Sequence, residues 1–248
     1  MRSTAGRRRL PTTHNSAAAL EYGFSALNAN QTHGLRRQLD DGIRGLMLDV
    51  TLVDGETLLC HGPCGLGQLP HTDALAILAE FLADNPDEVI IIIYEDSAPA
   101  SAIEADWQTS GLVDEAFVLG EGPWPTLGAL IDARTRIVVT AENAGPPPPW
   151  LQHAWDLIWD TPYTFHTPRE FSCDSNRGTA GQGLLLVNHW LSTDADLPDP
   201  GAAAQANDHD VLLARAQTCA AQWDHRVNLL GVDFYEQGAL FDVVTALQ

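Results

Sequence analysis

The chain has no lysine. Its 13 basic residues are all arginine, set against 33 Asp and Glu, for a formal net charge of −20 at pH 7. Such a field repels nucleic acid and makes a strongly anionic membrane surface a poor lasting partner, while acidic clusters suit divalent cations. The single basic run, "RRRL" at 7–10, is too short to reverse it. No stretch reaches the roughly 18 apolar residues of a membrane helix. No apolar segment follows the positively charged first ten residues, so no secretory leader is visible. No GxGxxG follows the first strand-like run, which leaves dinucleotide binding without support, and no repeat of solenoid period is present. The four cysteines are Cys60, Cys64, Cys173 and Cys219. "CHGPC" at 60–64 does not have a zinc-site spacing and no second pair matches it, so the residues alone allow either two disulfides or four buried thiols.

What remains can build a sizeable core: 45% of the 248 residues are hydrophobic, seven of them Trp. "GLMLDVTL" (45–52), "EVIIIIYED" (88–96), "RIVVTA" (136–141), "DLIWDT" (156–161), "GLLLVNHW" (183–190) and "LLGVDFY" (229–235) read as strands. The near-continuous apolar runs among them suit strands buried on both faces. Helical patterns lie between them, at 32–42, 72–85, 126–134 and 210–223; the second is expected to open on Thr72 as N-cap and to stop before Pro86. The "PPPP" run at 146–149 and residues 192–208 are surface loops.

Alternating strands and helices predict a parallel sheet, closed as a barrel or open and doubly wound. Polar residues recur where each run ends: His14 and Asn15, Asp49, Glu95 and Asp96, Glu142 and Asn143, Asn188 and His189, Asp233. In a barrel these ends meet at one rim, where active sites lie. Seven runs are visible where a barrel wants eight, so one strand is hidden or the barrel is irregular. The expectation is a single-domain α/β protein with a TIM-type, distorted barrel over 11–248 and a flexible segment at 1–10. Singly, each rim residue suits a cap, a loop or a solvated strand end; at successive strand ends they suit a site. His14 and His61, the latter twelve residues after Asp49, can exchange protons near neutral pH, and Asn15, Asp49 and Glu95 are hard oxygen donors of the kind Ca²⁺ prefers.

"TTHNS", "QLDDGIRGLMLDV", "LLCHG", "FLADNPDEVIIIIYED", "LLLVNHW" and "GVDFYEQG", in that order, resemble the phosphatidylinositol-specific phospholipase C X domain, most closely its X-domain-only branch in plants, fungi and bacteria. The likeness runs from about Pro11 to the C-terminus and implies a distorted TIM barrel. It implies that His14 and His61 are the two catalytic histidines and that Asn15, Asp49 and Glu95 fall on calcium ligands. In the metal-independent bacterial enzymes an arginine takes the place of Asp49. Calcium-dependent members carry a glutamate two residues before that aspartate, where this chain has Met47, so the implied Ca²⁺ site is a weak one. The implied reaction is phosphodiester cleavage by an internal hydroxyl. Asp233 is a candidate to orient His14, against a strand-end role. His189 is a candidate substrate contact, against a structural role. The implied partners are a phospholipid or another phosphodiester, with transient contact at a membrane surface, no nucleic acid and a monomeric chain. The alternatives are a soluble glycerophosphodiester substrate and a binding module whose catalysis has lapsed. Plant-type relatives of this family are mostly secreted and carry cysteines at similar places, which implies Cys60–Cys64 and Cys173–Cys219 bridges and an extracellular protein; the alternative is a cytosolic one with four reduced thiols.

Overall fold

The computed structural model describes residues 9–248. Of the segment set apart at 1–10, residues 1–8 lie outside the described residues, and Leu10 already belongs to the first strand. The strands in chain order are β1 (Leu10–Thr13), β2 (Gly45–Val53), β3 (Glu56–Leu59), β4 (Leu69–Pro70), β5 (Ile90–Asp96), β6 (Ala116–Phe117), β7 (Ile137–Ala141), β8 (Gln152–His153), β9 (Ile158–Asp160), β10 (Leu184–His189) and β11 (Val227–Val232). Their hydrogen-bonded order is β6-β7-β5-β2-β1-β11-β10-β9, with β8 on β7 and the β3–β4 ladder on β2. All pairs are parallel except β2–β3 and β3–β4. The result is a curled parallel sheet, a distorted TIM-type barrel. Among the described residues no ladder joins β7 or β8 to β9, so the wall is open there. The sequence pattern lacks β6 and β8, which at two residues each are too short to show a period.

The strands alternate between two layers, as pleating requires. Leu10, Ile91, Ile93, Val138, Ile158, Leu186 and Leu229 pack together inside the curl. Leu46, Leu48, Ile90, Ile92, Tyr94, Ile137, Val139, Leu185, Val187 and Leu230 pack outward against the helices. The glycine at 45 lets β1 and β2 approach closely: a Cβ there would lie 2.2 Å from Thr12 Oγ1.

The expected helices form at Leu35–Asp41, His71–Asp84, Leu127–Ala133 and His209–Trp223. Thr126 and Asp208 cap the last two through their side chains. Thr72 is not an N-cap. The helix begins one residue earlier, after Pro70, because His71 is drawn into the core, where its ring bonds Asp106 and the Tyr94 hydroxyl, each at 2.8 Å. The 156–161 run is only partly strand, since Ala154–Leu157 forms a helical turn before β9. Helices at Ala100–Ser110 and Leu240–Ala246 have no counterpart in the sequence reading; the first buries only Ile103 and Trp107, too few positions to announce a period.

Candidate active site at the rim

The C-terminal ends of the parallel strands gather most of the singled-out side chains. His14 follows β1, and its Nδ1 lies 2.8 Å from Asp233 Oδ1, just beyond β11. A carboxylate only accepts, so this nitrogen carries the proton in the neutral ring and Nε2 holds the lone pair. Asn30 donates to the other carboxylate oxygen, Oδ2, at 2.9 Å, and its amide oxygen takes a bond from Asn15 Nδ2 at 3.1 Å. Gln31 Nε2 donates to the carbonyls of His14 and Val232 at 2.8 and 3.1 Å. Asn15 itself turns the chain at φ 43°, a left-handed conformation that asparagine tolerates.

His61 follows β3. Its Nδ1 donates to the Asn28 carbonyl at 2.8 Å, and Asn28 Nδ2 returns a bond to the His61 carbonyl at 2.9 Å. The Cys60–Cys64 bridge flanks it, with a Cα–Cα distance of 5.1 Å. Burial lowers the proton affinity of this imidazole. The His14 and His61 rings stand edge to face with centroids 6.4 Å apart. Each ring therefore has Nδ1 engaged and Nε2 left to act, across a gap the width of a small group. The Cys173–Cys219 bridge also forms, so no cysteine is free.

The other half of the rim is a row of carboxylates. Asp49 on β2 is the register partner of Glu95 on β5, and Glu142 follows β7 with its amide bonded to the Tyr94 carbonyl at 3.0 Å. The inward alternation brings the three side by side. Burial first, then Glu95 and Glu142, hold the Asp49 carboxyl well above the usual carboxylate range. Glu142 is pushed up to about 7, mainly by burial; Glu95, Asp160 and Asp96 add to the rise, and Arg177 opposes it. Arg177 Nη1 bonds Glu142 at 2.8 Å, while Nε and Nη2 bond Asp160, at the end of β9, at 3.0 and 2.6 Å. One guanidinium thus bridges the opening between β7 and β9.

Asn15, Asp49 and His61 line one small recess. Asn15 and the two rim carboxylates are hard oxygen donors with an unbalanced negative charge, which fits a divalent cation in kind. Among the described residues no group of three His, Cys, Asp or Glu side chains is close enough to hold one. Met47 sits one inward step below Asp49 and packs into the apolar floor.

His189 is not brought to the mouth. Along β10, Asn188 and the following Trp190 face inward, so the residue between them faces out. His189 is fully buried, its Nε2 donates to the Ala206 carbonyl at 2.7 Å, and its ring packs on Phe171. Asp96 likewise faces out and accepts from the Asn143 and Ala144 amides at 2.9 and 2.7 Å. Sequence reasoning missed Asn30, Arg177 and Trp190. The first two lie in loops without pattern, whereas the alternation along "LVNHW" was a signal for Trp190.

The PI-PLC X family model matches residues 10–248. The chain belongs to the PI-PLC X family. It is 28% identical over 253 residues to an uncharacterised secreted protein of Arthroderma benhamiae, covering 88% of this chain and 56% of that one. It is 25% identical over 238 residues to a PI-PLC X domain-containing protein of Arabidopsis thaliana, covering 87% and 54%. The chain thus spans about half the length of the curated relatives it matches. Among solved structures it is similar to the phosphatidylinositol-specific phospholipase C of Listeria monocytogenes, with a TM-score of 0.68, 17% identity, and 100% and 95% of the two chains covered. A double mutant of the Staphylococcus aureus enzyme of that name gives a TM-score of 0.64 at 14% identity, with 94% and 87% covered. At these identities the likeness shows the fold.

Proposed function

We propose that the chain is a phosphodiesterase of the phospholipase C type, cleaving a phosphodiester by attack of a neighbouring hydroxyl on the same molecule. The observation that carries this reading is the pair of histidines facing each other across the rim, each with Nδ1 engaged and Nε2 left to act. His14 Nε2 takes the proton of the attacking hydroxyl as its oxygen bonds to phosphorus. His61, protonated, gives its Nε2 proton to the leaving oxygen as the old P–O bond breaks. The products are a cyclic phosphate and a free alcohol, and one proton has moved from His61 to His14. Asp233 holds His14 in the tautomer this needs and stabilises the imidazolium that forms. Burial disfavours the charged form of His61, which makes its imidazolium a stronger acid and a scarcer one near neutral pH.

The negative charge growing on the phosphate needs a positive partner, and Arg177 is committed to Asp160 and Glu142. Asn15, Asp49 and Glu95 would hold a calcium ion, which would supply that charge when bound. Met47 in place of a fourth oxygen donor keeps the affinity modest. Exposed apolar side chains near the mouth support transient contact with a lipid surface of low negative charge. Leu27, 61% exposed, adjoins the Asn28 that holds His61; Leu66 lies beside it, and Leu52 extends β2 beyond Asp49. Two disulfides and a secreted relative support an extracellular setting.

The test is cleavage of phosphatidylinositol, glycerophosphoinositol and a non-inositol glycerophosphodiester, each with calcium and with chelator. Cyclic phosphate from an inositol substrate, dependent on calcium, is the expected result. Release from the glycerophosphodiesters alone would shift the substrate class, and no cleavage of any of them would remove the catalytic reading.

A further inference from the structure

His14 is fixed at Nδ1, by Asp233 at 2.8 Å with the Asn30 amide nitrogen 3.3 Å away, and contacts at one ring atom leave the ring free to swing about it. A second contact removes the freedom. The Trp190 indole lies flat on the imidazole, with ring centroids 3.8 Å apart and planes 5° from parallel. It reaches that place from the end of β10, over Gly231, where a Cβ would make ordinary contact with Trp190 Cζ3 at 3.6 Å. Trp190 is nearly buried and is itself braced. Tyr163 stacks beside it at 6.4 Å; the Arg177 guanidinium lies 4.8 Å from the Tyr163 ring and 4.1 Å from the Trp155 ring. Arg177 is pinned by Asp160 and Glu142 on the two edges of the open wall. A column of flat groups, Trp155, Arg177, Tyr163, Trp190 and His14, therefore runs from the opening in the wall to the histidine.

We propose that Trp190 is a positioning residue for His14: the hydrogen bond to Asp233 sets where the imidazole sits, and the indole sets its plane, so that Nε2 keeps one direction. This rests on the reading of His14 as the base of a phosphodiesterase. Proton abstraction tolerates little misorientation, since displacements of about 1 Å can lower rates by ~10²-fold. A flat aromatic face holds a plane, whereas an aliphatic side chain of similar bulk fills the space without holding it.

Trp190→Phe, Trp190→Leu and Trp190→Met are the variants, the last filling the site with a flexible side chain should leucine leave the fold impaired. The first readout needs no turnover. In proton–carbon NMR of histidine-labelled protein at one fixed pH, the ring protons of His14, assigned with His14→Ala, are expected upfield of the exposed histidines through the indole ring current. The displacement should be reduced in Trp190→Phe and absent in Trp190→Leu and Trp190→Met. The second readout is kinetic: kcat should fall ~10-fold or more in the leucine and methionine variants with KM little changed, and the phenylalanine variant should recover most of it. A wild-type His14 signal among the exposed histidines overturns the proposal. So does full turnover in both aliphatic variants, which leaves the phosphodiesterase reading intact. A wild-type chain that cleaves nothing while keeping the upfield signal removes the phosphodiesterase reading and supports the positional claim alone.

Discussion

The two halves of the rim are built on opposite electrostatic terms. Around His14 the supporting groups are paired within the chain: Asp233 takes the imidazole on one oxygen and Asn30 on the other, and Asn30 is held in turn by Asn15. Across the mouth, Asp49, Glu95 and Glu142 stand in one row with one guanidinium among them, and that guanidinium is shared with Asp160. The first half is complete as it stands and suits proton transfer, which needs donors and acceptors fixed in advance. The second half is destabilised by burial first and by like charge second, and Asp49 and Glu142 hold their protons to unusually high pH. Under the calcium reading proposed above, this is the half that a ligand of opposite sign would relieve.

The sharpest way to break the comparison is at the histidines. His14→Ala and His61→Ala should each lower turnover by at least ~10²-fold, the usual scale of a general acid or base, with circular dichroism unchanged. Loss in one variant only would mean that the two histidines do not act as a pair.

Asp49→Asn tests the charged half. A carboxyl held above its unfolded value binds its proton more tightly when folded. Its penalty is therefore absent below the unfolded value of about 4 and grows as pH rises through the folded one. With chelator present, Asp49→Asn should melt higher than the wild type near pH 7.5, and the gap should close as pH falls toward 4. With calcium, the wild type should gain stability and the variant should not. Glu142 adds the same sign: between its ordinary value of 4.5 and about 7, rising pH lowers stability. A wild type that melts higher than Asp49→Asn in chelator would show that the row is not strained.

The barrel and much of the rim were legible because both rest on periodic strands. Four consecutive isoleucines announce a strand buried on both faces, and a polar residue after each such run marks a rim. The wall opening was not legible, because β8 is two residues long and β9 three, shorter than any pattern. Thr72 misled because capping chemistry reads one residue at a time, while His71 is placed by Asp106 and Tyr94, one on a helix and one on a strand further along the chain. His189 misled for a plainer reason. In "VNHW" the histidine drew the functional assignment by its chemistry, although a period of two gives the inward positions to Asn188 and Trp190. Arg177 reaches the rim from a loop that carries no pattern.

Met47→Glu would sharpen the comparison by extending the charged row downward. In the apolar floor a fourth carboxylate is unfavourable by itself, so the variant should melt lower than the wild type in chelator. A further oxygen donor next to Asp49 should raise calcium affinity about tenfold, near 1.4 kcal/mol, as read by calorimetry. Unchanged affinity would mean that the cation, if bound, sits elsewhere.

The smallest effect concerns how the two disulfides divide their work. The Cys173–Cys219 bridge closes a loop of 46 residues and joins the segment after β9 to the helix before β11. In the chain-entropy model it contributes on the order of 4 kcal/mol, and the Cys60–Cys64 bridge, with a separation of 4, about half that. The short bridge lies directly beside His61, whose main chain and ring are held on their other side by Asn28. Removing it as the Cys60→Ser/Cys64→Ser pair should lower turnover a few-fold with a small change in melting temperature, since Asn28 still holds the ring. Cys173→Ser/Cys219→Ser should do the reverse, lowering melting temperature while each folded molecule keeps its turnover. Equal losses of turnover in the two pairs would show that the short bridge has no special hold on the histidine. Turnover intact in the Cys60/Cys64 pair would leave Asn28 as the sole device that places His61.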